Sequence, residues 1–208
     1  MLPLVFAGSS AEHSCSDIWL QQIRLDRGGI YLVEAASGTG KSSLCSYLIG
    51  YRHDYQGRIA FDETDIRTYG IKEWTDIRQH HISHLFQELR LFPELSTWEN
   101  IQMKNQLTHH TADSQIRQWL EAFGIADKME ARVGQMSFGQ QQRVAMIRAL
   151  AQPFDFLLLD EPISHLDDEN SRCMTEIVME EARKQGAAVV VTSIGKHMDL
   201  PYDKIFRL

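Results

Sequence analysis

Residues 34–43, EAASGTGKSS, have the residue types and spacing of a loop that binds phosphate. In such a loop the backbone N–H groups converge on phosphate oxygens, and a helix that starts there adds the positive end of its dipole. Gly40–Ser42 match the end of the pattern Gly-x4-Gly-Lys-Ser/Thr, but Ala35 occupies the leading Gly position. Alanine is tolerated if that position needs only a small residue, and excluded if it needs a positive φ angle.

Each part of the loop has a predicted role. Gly38 and Gly40 allow close approach of the backbone to a ligand. Lys41 would neutralise the outer phosphates, and the Ser42 hydroxyl would bind Mg²⁺. The predicted nucleotide-binding residues are Ala35, Ser37, Gly38, Thr39, Gly40, Lys41, Ser42 and Ser43.

A second group of candidate functional residues is a pair of carboxylates at the end of an apolar run. In the sequence LLLDEP these are Asp160 and Glu161. In open parallel sheets, ligands bind beyond the carboxyl ends of the strands. Asp160 would hold Mg²⁺ through water, and Glu161 could act as general base on an attacking water. An acidic pair that merely ends a strand before Pro162 is the alternative, but the phosphate loop upstream favours a Mg²⁺–nucleotide site.

Alternating strands and helices must position these residues. The predicted strands are residues 1–10, 30–35, 58–62, 154–160 and 187–193, and the predicted helices are 42–49, 111–123, 140–150 and 167–185. This alternation predicts a mostly parallel sheet covered on both faces. Between about residues 98 and 150 the pattern predicts helices and no strand, as in a helical subdomain inserted into the α/β core.

Composition limits the function classes. The chain has 208 residues, 43% of them hydrophobic, which is enough for one domain with a real core. Its net charge of −7 argues against nucleic acid and anionic lipid as partners. Three widely spaced cysteines indicate a reducing, cytosolic compartment. No apolar run approaches the roughly 20 residues of a membrane-spanning helix.

Residues 135–150, QMSFGQQQRVAMIRAL, resemble the signature of ABC ATPases, which is Leu-Ser-Gly-Gly-Gln followed by a helix start rich in Gln and Arg. Gln87, in HLFQELRLFPELSTWENI, resembles the Q-loop of that family, and Ser164–Asp167, SHLD, resembles its D-loop. The resemblance extends from about Ile18 to the C-terminus. Each motif is a weak match by itself, whereas the ordered set is specific.

This resemblance implies a dimer in which two ATP molecules lie between head-to-tail protomers. The signature of one protomer then closes over the ATP held by the other. The signature residues implied to contact ATP in this way are Ser137, Phe138, Gly139 and Gln140, with Asp167 from the D-loop. The implied Mg²⁺ ligands are Ser42, Gln87 and Asp160, and the implied catalytic positions are Glu161, Gln87 and Ser193.

The resemblance also implies a fold class: α/β, with a P-loop NTPase core of mostly parallel sheet, antiparallel N-terminal strands and an inserted helical subdomain. Residues 1–208 would form one domain, with 1–87 and 151–208 as core and 88–150 as helical subdomain. The implied cofactors are ATP and Mg²⁺. The implied partners are a separate integral membrane permease and a second, identical or related subunit, with no nucleic acid. The implied location is cytoplasmic, on the inner face of the cell membrane.

The chain departs from the family pattern at four places. Ala35 replaces a Gly, and Phe138 replaces the first Gly of the signature pair, so its side chain must point away from phosphate. The family has a switch histidine at the position that Ser193 or Ile194 occupies here. His197, a few residues further on, could take the place of that missing histidine. The family has an aromatic residue well upstream of the loop lysine that stacks on adenine, whereas this chain offers only His13 in that region.

These departures leave a second function class open, a soluble nucleotide-dependent switch that dimerises with little hydrolysis. The short chain most resembles subunits of the lipoprotein-release, macrolide-export and cell-division types.

His80, His81 and His84 form an HHxxH group. We predict that they belong to a strand leading to Gln87 and hold no metal, because the sequence nearby offers no Cys or acidic ligand.

Overall fold

The computed structural model describes residues 2–3, 16–36 and 38–208. The predicted site residues Ser37 and His13, and most of the predicted first strand, lie outside these ranges. In chain order the described strands are β1 Leu2–Pro3, β2 Ile30–Glu34, β3 Tyr55–Gln56, β4 Ala60–Phe61, β5 Thr64–Asp65, β6 Ile82–Leu85, β7 Phe156–Asp160, β8 Ala188–Ser193 and β9 Lys204–Arg207.

The described helices largely follow the predicted ones. They are α1 Lys41–Leu48, α2 Ile71–Asp76, α3 Thr97–Thr108, α4 Asp113–Ala122, α5 Phe138–Leu150 and α6 Asp168–Gln185. Asp167 caps the start of α6, because its side chain accepts a hydrogen bond from the N–H of Asn170. Gly186 ends the same helix with a φ of 62°, in the left-handed region that favours glycine. None of the described helices has the length and apolar composition needed to cross a bilayer.

The central sheet has the order β6-β7-β8-β2-β9, and every neighbouring pair in it is parallel. The three central strands β2, β7 and β8 are largely apolar because both of their faces are buried, whereas the edge strand β9 is mostly exposed. Leu157 and Leu159 belong to the core on one face, whereas Leu158 and Val190 belong to the core on the other. Short antiparallel pairs, β1 with β3 and β4 with β5, complete the mixed α/β fold that the motifs imply.

The segment between β6 and β7 is helical, as predicted, and α3 and α4 both pack against α5. The start of α3 was not predicted, although its signal is present in the sequence. Ser96 accepts a hydrogen bond from the N–H of Glu99, and the Glu99 carboxylate accepts one from the N–H of Ser96. This reciprocal capping box stabilises the first turn of α3.

Two strand predictions need correction. The predicted strand 58–62 is only the first arm of the β4–β5 hairpin, because Asp62 and Glu63 have φ angles of 44° and 72° and turn the chain back. His80 and His81 are not in a strand either, since they end an irregular helical turn before β6 begins. The β6 strand therefore includes only the third histidine of the HHxxH group, His84.

Candidate functional site

The predicted phosphate-binding and catalytic residues come together at the carboxyl edge of the sheet. The phosphate loop follows β2, Gln87 follows β6, and Glu161 follows β7, at the ends of three parallel strands. Between them lies a pocket of about 240 Å³. Its lining residues are Gly38, Gly40, Lys41, Ser42, Ser43, Gln87, Glu161 and Ile194.

The phosphate loop has the left-handed backbone that its glycines permit. Gly38 and Gly40 have φ angles of 82° and 105°, and Gly40 is the N-cap of α1. The Thr39 hydroxyl donates to the Ala36 carbonyl at 2.8 Å, and the Trp19 indole N–H donates to the Thr39 carbonyl at 3.4 Å. The loop is thereby supported from within and by the fully buried Trp19 ring.

Ala35 has a φ angle outside the left-handed region, and its N–H donates to the Ser193 carbonyl at 3.1 Å. The position therefore does not need glycine, and Ala35 is compatible with the loop. We expect Ala35→Gly to leave ATP affinity within about twofold, because the loop geometry is unchanged. Because glycine has more conformational freedom than alanine in the unfolded chain, the substitution should lower the free energy of unfolding by roughly 0.4–1 kcal/mol.

Titration calorimetry with ATP and chemical denaturation check both parts of this prediction. A large gain in affinity for Ala35→Gly would mean that the loop is strained by alanine.

Lys41 is buried, yet its ammonium group faces the pocket. It donates to the carbonyls of Ala35 and Ala36 at 3.2 and 3.0 Å, and it lies 3.9 Å from the Glu161 carboxylate. Its side chain is only 6% exposed, so its charge has little screening by water. A phosphate in this pocket would meet that charge at short range.

Three oxygen-bearing side chains converge at the start of α1. The Ser42 hydroxyl donates to Asp160 Oδ2 at 2.9 Å and lies 3.4 Å from Gln87 Oε1. The other Asp160 oxygen accepts a hydrogen bond from Thr192, a partner that the sequence analysis missed. Hydroxyl, amide and carboxylate oxygens are the donors that Mg²⁺ prefers, so the predicted set of Ser42, Gln87 and Asp160 fits this ion.

Glu161 has a φ angle of 51°, which turns the chain just after β7. Hydrogen bonds from two other elements hold the backbone of this turn: the Glu161 N–H donates to the Thr192 carbonyl at 3.1 Å, and the Glu161 carbonyl accepts from the side-chain amide of Gln142 at 3.2 Å. Gln142, another residue missed from sequence, thus connects the signature helix to the backbone of Glu161. The Glu161 side chain remains free to face the pocket.

The predicted catalytic position Ser193 is not brought to the pocket lining. It is buried, and its hydroxyl donates to the Lys196 carbonyl at 2.7 Å and accepts from the Gly195 N–H at 3.1 Å. Ile194 lines the pocket instead. His197 is exposed, with Nδ1 3.2 Å from the Gly195 carbonyl, and it is not among the lining residues. The lining of this pocket, as far as the structure describes it, contains no histidine.

The signature residues lie at the N-terminus of α5 and do not line this pocket. Ser137 is the N-cap: its hydroxyl accepts from the Gln140 N–H, and its own N–H donates to Gln140 Oε1. The first N–H groups of a helix have no acceptor within it, which leaves those of Phe138 and Gly139 for a ligand. The residue Phe138 is 44% exposed, and its ring lies against that of His165, with 4.4 Å between the ring centroids.

The predicted D-loop residue Asp167 is occupied as a helix cap. The Asn170 N–H donates to its carboxylate at 2.8 Å and holds the pKa of Asp167 below its usual value. Asp167 is not among the pocket-lining residues either. The structure therefore separates a phosphate pocket from an exposed helix tip with free N–H groups.

Comparisons with known proteins show the family of this chain. The profile of the ABC transporter family matches residues 21–164. The ABC transporter ATP-binding protein YtrE of Bacillus subtilis is 32% identical over 168 residues, which cover 79% of this chain and 73% of YtrE. The lipoprotein-releasing system ATP-binding protein LolD of Syntrophus aciditrophicus is 29% identical over 174 residues, 82% of this chain and 78% of LolD.

Longer relatives match over part of their length. The Fe(3+) ions import ATP-binding protein FbpC of Haemophilus influenzae is 32% identical over 87% of this chain and 52% of FbpC. A dimeric structure of the ATP-binding cassette MJ0796 with ADP and Pi superposes with a TM-score of 0.71 at 26% identity, covering 82% of this chain and 77% of the other. The chain therefore belongs to the ABC transporter family, as an ATP-binding cassette of the ATP-hydrolysing kind.

Proposed function

We propose that two copies of this chain close head to tail on two ATP molecules and thereby drive a separate membrane permease. The observation that supports this most is the division of the site. One surface has the phosphate pocket around Lys41, whereas the donor-bearing tip of α5 at Ser137–Gln140 does not line it. Each copy would then supply the half of the site that the other lacks.

In this proposal the phosphate loop binds the triphosphate. The N–H groups of residues 38–43 and the N-terminus of α1 face the phosphates, and Lys41 supplies a full positive charge. Ser42, Gln87 and Asp160 would hold Mg²⁺, which neutralises charge on the outer phosphates when bound. Ser37, which lies outside the described residues, is also a proposed nucleotide-binding residue.

Glu161 would take the proton from the water that attacks the terminal phosphate. The hydrogen bonds of the Glu161 backbone to Thr192 and Gln142 fix the backbone position from which this carboxylate side chain extends. The side chain of Ile194 offers no hydrogen-bond donor to the phosphate, so we propose that turnover is slower than with a histidine in the pocket. The intact Glu161–Lys41 arrangement favours hydrolysis over a nucleotide switch without turnover.

The α5 tip of the second copy would close over the terminal phosphate, with Ser137, Gly139, Gln140 and the backbone of Phe138 facing it and Asp167 near the same interface. The Phe138 ring would point away from the phosphate. Free N–H groups and the helix dipole favour negative charge there. Loss of the terminal phosphate removes the charge that joins the two surfaces, so hydrolysis would shift the population toward open protomers.

Phe138→Gly tests the assignment of the signature. We expect ATP affinity of the isolated monomer to stay within about twofold, because Phe138 lies against His165 and not in the phosphate pocket. ATP-driven dimerisation should change, since the side chain is at the proposed contact surface. Calorimetry measures the first quantity and light scattering the second. A changed monomer affinity would place the signature elsewhere.

The proposed partner is a separate integral membrane permease, which would hold this chain at the cytoplasmic face of the membrane. Relatives named for lipoprotein release and for Fe(3+) import support a transport role. We assign residues 1–87 and 151–208 to the nucleotide-binding core and 88–150 to the helical subdomain. Affinity purification of the tagged chain from solubilised membranes should recover one integral membrane protein in stoichiometric amount. Recovery of the chain alone would oppose the proposal.

The activity is tested on the purified chain. Steady ATP hydrolysis that needs Mg²⁺ and disappears in Glu161→Gln supports the proposal. ATP binding and dimerisation without turnover would instead support the switch.

A further inference from the structure

His84 is a buried polar side chain near the pocket to which none of the contacts described so far gives a role. Both of its ring nitrogens are buried, and neither has a hydrogen-bond partner among the described residues. Its ring lies 4.1 Å from that of Phe86, between centroids. A buried nitrogen without a partner costs free energy, so a ligand that satisfies it is expected.

Two further ligand-type side chains face this imidazole. The Cys45 thiol lies one helical turn beyond the phosphate loop, on the buried side of α1, and Asp160 ends the strand beside β6. One ligand atom from each of Cys45, His84 and Asp160 lies within 4.8 Å of the other two. They come from three separate elements that the fold brings together. The expectation from sequence that His84 has no Cys or acidic neighbour was wrong.

We propose that Cys45, His84 and Asp160 form a binding site for a thiophilic divalent cation, with Zn²⁺ as the best match. Thiolate, imidazole and carboxylate are the ligands Zn²⁺ takes in proteins, whereas Mg²⁺ takes oxygen. Tetrahedral Zn²⁺ with bonds of about 2.0–2.3 Å needs ligand atoms roughly 3.5 Å apart. Because their ligand atoms already lie within 4.8 Å of one another, the three side chains need to approach by little more than 1 Å at most, and a water molecule can supply the fourth ligand.

The electrostatics of the site are mixed. Burial, with the charges of Arg90 and Lys104, lowers the pKa of His84 to about 3, so the ring is in the neutral form that binds metals. Those two cations oppose a bound metal. Burial and the nearby Asp160 carboxylate raise the pKa of the Cys45 thiol, so Cys45 would release its proton to solvent only as the metal binds. The negative charges of that thiolate and of Asp160 would then offset the positive charges of Arg90 and Lys104.

Occupancy would regulate the nucleotide site. Asp160 accepts hydrogen bonds from Ser42 and Thr192 and is also a proposed Mg²⁺ ligand, so a metal bound at Cys45 and His84 would compete for it. We infer that Zn²⁺ weakens Mg²⁺–ATP binding and acts as a brake. This consequence rests on the proposed function, whereas the metal site itself does not.

Co²⁺ binding to the full chain tests the site, because thiolate-bound Co²⁺ has a charge-transfer absorption band that oxygen-bound Co²⁺ lacks. In a Cys15→Ser/Cys173→Ser background, Cys45 is the only thiol of the chain. We expect one equivalent of Co²⁺ to produce the band and one equivalent of Zn²⁺ to abolish it. This reading needs no change within the site, and absence of the band would overturn the proposal.

Variants in that background locate the ligands. Cys45→Ala should remove the band, and His84→Phe should weaken Zn²⁺ binding at least tenfold in calorimetry. His80→Asn, which alters a histidine paired with Asp76, is the matched control and should change neither. Undiminished Zn²⁺ affinity in both site variants would refute the assignment.

Adding Mg²⁺ and ATP separates the two proposals. Zn²⁺ binding that weakens by more than the chelation of Zn²⁺ by ATP in solution accounts for supports the shared use of Asp160. If ATP fails to bind while the thiolate band remains, the proposed function fails and the metal site stands.

Discussion

Lys41→Ala is expected to weaken ATP binding at least about 100-fold, which corresponds to roughly 3 kcal/mol. The lysine ammonium is the charge that the structure places among the loop carbonyls, and its small exposure limits screening. Without it, the triphosphate would face the Glu161 carboxylate without the lysine charge between them. Titration calorimetry on the purified chain measures the loss directly.

Lys41→Met is the matched control, because it keeps most of the buried side-chain volume and removes only the charge. An equal loss in both variants would assign the effect to electrostatics, and a smaller loss in Lys41→Met would assign part of it to packing of α1. Unchanged affinity in either variant would mean that the nucleotide binds elsewhere.

Glu161→Gln is expected to lower ATP turnover at least about 100-fold while leaving nucleotide affinity nearly unchanged. A general base contributes roughly 10²–10⁴ to the rate, and an amide cannot accept the proton from water. The shape of the side chain is retained, and the backbone bonds that hold this residue to Thr192 and Gln142 do not involve the carboxylate. Phosphate release under saturating ATP gives the rate.

Glu180→Gln provides a comparison in which the same chemical change occurs on the exposed face of α6, where Glu180 pairs with Lys184 at 2.7 Å. Turnover of that variant should match the parent chain, since surface ion pairs contribute little to stability. If Glu161→Gln hydrolyses ATP at the parental rate, another group is the base.

Sequence reasoning succeeded where one physical rule fixed the outcome. Buried parallel strands are apolar on both faces, so β2, β7 and β8 were recognisable within one or two residues. Because parallel strands end at the same edge, the contact between Ser42 and Asp160 could be predicted from residues over 100 positions apart. The start of α5 was also predictable in outline, since Ser137 and Gln140 have the spacing of a capping box.

It failed where the outcome depended on how side chains are oriented in turns. Whether Ser193 or Ile194 faces the pocket is decided by hydrogen bonds of the Ser193 hydroxyl within its own turn, which no spacing indicates. The tolerance of Ala35 depends on one φ angle. The approach of His84 to Cys45 needs the packing of α1 over the sheet, so it was invisible until the fold was known.

The central claim is that ATP joins two copies of this chain, and sedimentation velocity of Glu161→Gln tests it most directly, because blocked hydrolysis preserves the bound nucleotide. Glu161→Gln should be monomeric alone and dimeric with saturating ATP, and adding Lys41→Ala to it should keep it monomeric under both conditions. A Glu161→Gln chain that binds ATP but stays monomeric, or that dimerises equally without nucleotide, would contradict the account.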